Sequence, residues 1–175
     1  RLDEFPELLR RKAPLVLTPH RRELGRLVGL TDAAPSSLTS ALEAARRIVW
    51  ADGGSELVVV AKGTATACVG VEIAMLPKPG PACLATAGSG DVLAGIMAGL
   101  LARGVETESL PTLTAFACEV HGYAASIAQE RFGTRGVMAA DIIDVIGLAV
   151  DAVEDHAAFS GADDVMPSDE GDARN

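Results

Sequence analysis

Apolar positions along this chain recur with helical spacing in some stretches and run unbroken in others, and the changes mark its elements. In residues 2–12 they fall at Leu2, Phe5, Leu8 and Leu9, a helical spacing that Ala13-Pro14 ends. Leu15-Val16-Leu17 predicts a short buried strand, and a helix follows over about residues 21–28. Leu42, Ala45, Ile48 and Val49 predict a helix from Ser37 to about Ala51, which Asp52-Gly53-Gly54 stops. Leu57-Val58-Val59-Val60-Ala61 is continuous and β-branched, the pattern of a strand covered on both faces. Residues 67–76 read as two short strands about Gly70, a hairpin. Residues 92–102 are apolar almost all round and predict a helix needing burial on several sides. A long helix is expected over residues 111–132. Gly133-Thr134-Arg135-Gly136 breaks it, and an amphipathic helix over residues 139–153 closes the series.

With 175 residues the chain can bury the core of one domain, and an apolar share of 49% excludes a disordered protein. Only 3% of residues are aromatic, so Ala, Val, Leu and Ile must fill that core. The net charge of −9 is unevenly placed. Residues 151–175 hold eight acids and one Arg, whereas residues 1–150 hold sixteen acids and fourteen bases. The body is thus near neutral, with neither basic stripe nor aromatic stacking set, which argues against nucleic-acid binding. The segment 160–175 lacks apolar periodicity and reads as an acidic disordered tail behind a domain over residues 1–159. Cys68, Cys83 and Cys118 are an odd number at no metal-ligand spacing, so reduced thiols in a cytoplasmic protein, and no metal site, are expected. The apolar run 92–102 is too short to span a bilayer. Its Gly95 and Gly99 suggest close packing against a sheet.

Candidate chemistry lies in three segments. Ala85-Thr86-Ala87-Gly88-Ser89-Gly90-Asp91 opens the apolar helix, and its glycines permit a tight turn. The first N–H groups of a helix lack partners within it and, with the helix dipole, suit a phosphate or developing oxyanion. Beside such donors, the Asp91 carboxylate can take a proton from a hydroxyl. The plainer alternative is that Ser89 or Asp91 only caps the helix. Leu17-Thr18-Pro19-His20 ends the first strand, where ligands gather in open parallel sheets, although a His there is often just a structural hydrogen-bonder. Lys62-Gly63-Thr64-Ala65-Thr66 ends the second strand, with a cation, a Gly and two hydroxyls available to a nucleotide; a Gly turn between strands is the bland reading. No Walker P-loop occurs. His121, in the middle of the long helix, reads as structural.

Together these strings resemble the ADP/ATP-dependent NAD(P)H-hydrate dehydratases of the ribokinase-like superfamily. The match includes LTPH-x-x-E, KGTAT, ATAGSGDVLAG and the closing AADIIDVI, in the same order. Ala87 stands where the family pattern has Gly, and Arg21-Arg22 where Pro-Gly is frequent. The resemblance implies an α/β fold, a ribokinase-like layered αβα arrangement about a mostly parallel sheet. It implies dehydration of (S)-NADHX or (S)-NADPHX to NAD(P)H, with ADP or ATP as co-substrate and Mg²⁺ on its phosphates. Asp91 would be the catalytic base and, with His20, would contact substrate. Lys62, Gly63, Thr64, Ala65, Thr66 and Gly90 would bind the nucleotide, and Gly88, Ser89 and Gly90 would form the anion hole. A fused or separate NAD(P)HX epimerase and a homo-oligomer are the partners it suggests. A small-molecule kinase of the superfamily and a non-catalytic nucleotide-binding remnant stay open as alternatives.

The resemblance covers only the later part of the family domain, and the chain starts at Arg1, directly in a helix. A piece lacking N-terminal strands is therefore expected, with an incomplete sheet, the Gly95/Gly99 face exposed and the strand at residues 57–61 partly uncovered.

Overall fold

Four short strands form one sheet in chain order: β1 (Leu15–Leu17), β2 (Leu57–Ala61), β3 (Ala67–Val69) and β4 (Ala74–Met75). They come from a computed structural model that describes residues 13–30, 34–52, 56–103 and 109–160; the helix expected over residues 2–12 and the tail from residue 161 lie outside these. β1 runs parallel to β2, with Val16 opposite Val58, while β2–β3 and β3–β4 are antiparallel. Among the described residues the sheet is mixed, not mostly parallel. The reason is connection length: residues 62–66 and 70–73 are too few for the crossover a parallel return needs.

Helices cover both faces. On one lie α1 (Arg21–Leu27) and α2 (Leu38–Ala51); on the other lie α3 (Ser89–Ala102), α4 (Leu110–Phe132), α5 (Ala139–Ile143) and α6 (Ile146–Ser160). β2 is buried along its whole length, and its alternating residues divide between two cores. Leu57, Val59 and Ala61 join Leu24, Ala45, Ile48 and Val49, whereas Val58 and Val60 join Leu93, Met97, Val120 and Ile142. The expected exposure of this strand is therefore not seen, because a helical layer closes each side. Ala45, Ala67, Ala117, Ala124 and Ala125 are fully buried, as a core poor in aromatics requires. α4 packs on α3, α5, α6 and the strands β2, β3 and β4, and so runs through the middle of its layer.

Other departures are local. The last expected helix is two, because the Val145 N–H bonds to the Ile142 carbonyl and tightens the chain between α5 and α6. A short 3₁₀ turn over Ala82–Ala85, not anticipated, leads into α3. α3 buries the stripe Val92, Leu93, Ile96 and Met97. Gly95 and Gly99 lie off that stripe, and a β-carbon at either would meet nothing within 4 Å. Their pairing therefore does not mark close packing here. All three cysteines are buried and free, with Cys68 Sγ 3.9 Å from Cys118 Sγ. No helix among the described residues is long and apolar enough to cross a membrane.

Candidate nucleotide and anion site

The parallel register of β1 and β2 carries the ends of both strands to one place. There the Lys62 N–H donates to the Pro19 carbonyl at 3.0 Å, and His20 pairs with Lys62 in an isolated parallel bridge. Two of the three candidate segments are thus adjacent. His20 also caps α1: its Nδ1 accepts from the Glu23 N–H at 3.2 Å, and Glu23 Oε2 accepts from the His20 N–H at 2.8 Å. The H-x-x-E spacing is therefore a capping box with His in the usual Ser or Thr position. His20 Nε2 lies 3.2 Å from Glu23 Oε1, and the imidazole, 54% exposed, stays open to a ligand. The structural reading of His20 is thus correct, and it leaves room for the functional one.

At the start of α3, Gly88 is the N-cap in the left-handed region, φ +84°, and no side chain caps the helix. This removes the plain capping alternative for Ser89 and Asp91. No non-Gly residue among those described has positive φ, so Ala87 in place of the family's Gly strains nothing. The Asp91 and Val92 N–H groups bond to the Gly88 carbonyl at 3.0 and 3.1 Å, and the Ser89 N–H makes a longer bond of 3.4 Å to Thr86. Among the described residues no backbone acceptor takes the Gly88 or Gly90 N–H. Two of the expected anion-hole residues therefore keep a free donor. The Asp91 carboxylate is solvent-exposed one residue beyond.

The third segment joins the other two through Lys62. A β-carbon built on Gly90 would lie 2.9 Å from Lys62 Nζ, so the half-buried ammonium rests against the turn. Gly63, Thr64 and Ala65 form an exposed loop beyond it, with Thr66 half-buried. Arg21, whose place the sequence left open, flanks this loop: its Cδ is 4.0 Å from a β-carbon built on Gly63.

His121 was not among the expected site residues, yet it meets the turn from beneath. It is 6% exposed on α4, and its Nε2 lies 3.2 Å from the Oγ of Ser89, itself 4% exposed. Burial first, and then the charge of Lys62, lower its pKa to about 4 against an opposing hydrogen bond with the Ser89 backbone, so the ring is neutral at pH 7. No local signal marks this contact, because the partners are 32 residues apart and meet only when α3 packs on α4. Beyond Asp91 an open groove of about 650 Å³ continues along α3, lined on its far side by Ile143, Ile146 and Val150.

The family model for NAD(P)H-hydrate dehydratase matches residues 2–147. The chain belongs to this family. It is 39% identical over 129 residues to an ADP-dependent (S)-NAD(P)H-hydrate dehydratase of Neisseria meningitidis, an alignment covering 73% of this chain and 41% of that protein. Its fold superposes on an ADP/ATP-dependent NAD(P)H-hydrate dehydratase from Bacillus subtilis, co-crystallised with ATP/Mg²⁺ and soaked with CoA. That match has a TM-score of 0.64 and 26% identity, and covers 82% of this chain and 50% of the other. A ribokinase-like superfamily protein from Enterococcus faecalis superposes with a TM-score of 0.59 and 26% identity over 79% of this chain and 44% of its own, consistent with the ribokinase-like layered α/β fold. The chain spans about a quarter of the length of the bifunctional NAD(P)H-hydrate repair enzymes it also matches.

Proposed function

We propose that this chain supplies the nucleotide and phosphoryl-transfer side of an ADP-dependent (S)-NAD(P)H-hydrate dehydratase. The observation that carries this reading is the convergence of three separate segments. His20 is bridged to Lys62, and Lys62 reaches the Gly88–Ser89–Gly90 turn, beside Asp91. The family and the ADP-dependent Neisseria relative point to the same reaction.

A ring hydroxyl leaves poorly, and phosphorylation makes it a good leaving group. Asp91 takes the proton from the hydroxyl of the hydrated nicotinamide ring as its oxygen attacks the terminal phosphorus of ADP. The P–O bond to AMP breaks as the new P–O bond forms. The Gly88 and Gly90 N–H groups and the Lys62 ammonium face the charge on the phosphoryl oxygens, by position and electrostatics. The ring nitrogen's lone pair then expels phosphate, and loss of the neighbouring ring proton restores the reduced nicotinamide. Gly63, Thr64, Ala65 and Thr66 lie beyond Lys62, suited to the AMP portion, and His20 stands on the substrate side.

Mg²⁺ on the nucleotide phosphates belongs to this chemistry. Among the described residues, however, no group of three or more His, Cys, Asp or Glu could hold a metal ion. No step here is assigned to the ion. An NAD(P)HX epimerase, fused or separate, would supply the (S)-epimer, and the free thiols suit the cytoplasm.

The test is to incubate the protein with NADHX and follow NADH absorbance with ADP, with ATP and with neither. Recovery that requires a nucleotide, with AMP and phosphate released from ADP, supports the reading. A phosphorylated product that accumulates without NADH would instead mark a small-molecule kinase.

A further inference from the structure

We propose that His121 is a positioning residue: through Ser89 it fixes the turn that presents the Gly88 and Gly90 donors and the Asp91 carboxylate. The inference rests on reading that turn as the phosphoryl site. Ser89 is the first residue of α3, yet its hydroxyl neither caps the helix nor faces solvent. It turns inward to His121 Nε2, 3.2 Å away and equally buried. A serine at the N-cap ordinarily spends its hydroxyl on the helix's own N–H groups, but Ser89 stands one residue later, behind Gly88. Here the Gly90 N–H stays available to a ligand, and the hydroxyl anchors the turn to another helix.

The anchor is well placed. α4 packs on three helices and three strands, so its middle is held from several directions, while the turn hangs on the end of a 3₁₀ segment. Without the contact, the Ser89 N–H is held only by its 3.4 Å bond to the Thr86 carbonyl. The residue that follows it, Gly90, carries the free N–H and touches Lys62. A shift of Ser89 therefore moves a donor, the cation's resting place and the base together.

The uncharged state of the ring also fits this role. A protonated imidazole beside Lys62 would repel the ammonium that faces the phosphate. A neutral ring keeps the hydrogen bond and adds no charge to repel Lys62.

The test compares wild type, Ser89→Ala, His121→Leu, His121→Gln and the double variant Ser89→Ala/His121→Leu in the full-length protein. Turnover with ADP and NADHX, ADP affinity by calorimetry, and amide hydrogen exchange at residues 88–91 are measured for each. In His121→Leu, kcat should fall about 10- to 100-fold, as small misplacements at reacting groups do, with KM for NADHX changed less than about threefold. Exchange at residues 88–91 should accelerate. His121→Gln should regain most of both, because its amide can still bond Ser89. Ser89→Ala should match His121→Leu, and the double variant should lose no more than either one. Losses that multiply in the double variant, or a lowered thermal midpoint with kcat intact, would overturn the proposal. If wild type shows no turnover, the functional reading fails by itself, and exchange at residues 88–91 with ADP affinity still decides this one.

Discussion

Lys62 Nζ occupies the space that a side chain on Gly90 would need, 2.9 Å from the β-carbon position. Gly90 is the second residue of α3, where Ala is the better helix former by about 1 kcal/mol. Gly90→Ala should therefore leave the thermal midpoint unchanged or slightly raised, while pushing the ammonium off the turn. ADP affinity by calorimetry should fall about tenfold or more. Unchanged affinity would separate Lys62 from the phosphoryl site.

Lys62→Ala should weaken ADP more than NADHX, and His20→Ala the reverse. His20 also caps α1, so its truncation should cost about 1 kcal/mol of stability as well. His20→Asn separates the two roles, since Asn caps well: it should restore stability and leave NADHX binding impaired. Equal losses for both ligands in both alanine variants would contradict the division between the loops.

His121 makes stability depend on acid. Its folded pKa of about 4 lies below the ordinary 6.5, so between those values the unfolded chain binds the proton more readily. The stabilising preference for the neutral ring is complete above about pH 6.5 and is lost as pH falls towards 4. Over that window it amounts to roughly 3 kcal/mol. Urea midpoints of wild type and His121→Gln, measured from pH 7 to pH 4, should differ in slope, wild type falling more steeply. Parallel curves would show that the ring is not held neutral by its burial.

Gly95 and Gly99 face open space along the groove. In the chain of residues 1–175, Gly95→Ala and Gly99→Ala should each raise stability by up to about 1 kcal/mol through helix propensity alone. A fall in thermal midpoint for either would show that this face is packed after all.

The strands β1 and β2, the helix α2 and the opening of α3 were legible because each carries a local signature: an unbroken apolar run, a polar cap before apolar residues at helical spacing, a Gly-rich turn. The candidate segments were legible for the same reason, and the strand ends placed two of them together. The hidden part is tertiary. Nothing near His121 announces Ser89, and nothing near Lys62 announces Gly90, because those distances are set by how α3 packs on α4 and the sheet. The role of Glu23 as the far half of a capping box was written in its spacing from His20, but His is an uncommon residue in that position. Likewise Gly95 and Gly99 suggested a packed seam, yet the larger Val92, Leu93, Ile96 and Met97 take the contact and turn the glycines outward.

The exposed carboxylate of Asp91, beside the free donors of the turn, is the centre of the account. Asp91→Asn removes the proposed base and almost no volume. Turnover of NADHX with ADP, followed as NADH absorbance, should drop about 10²–10⁴-fold, while the calorimetric affinity for ADP stays within a few-fold of wild type. Near-normal turnover in Asp91→Asn would take Asp91 out of the mechanism and contradict the account at its core.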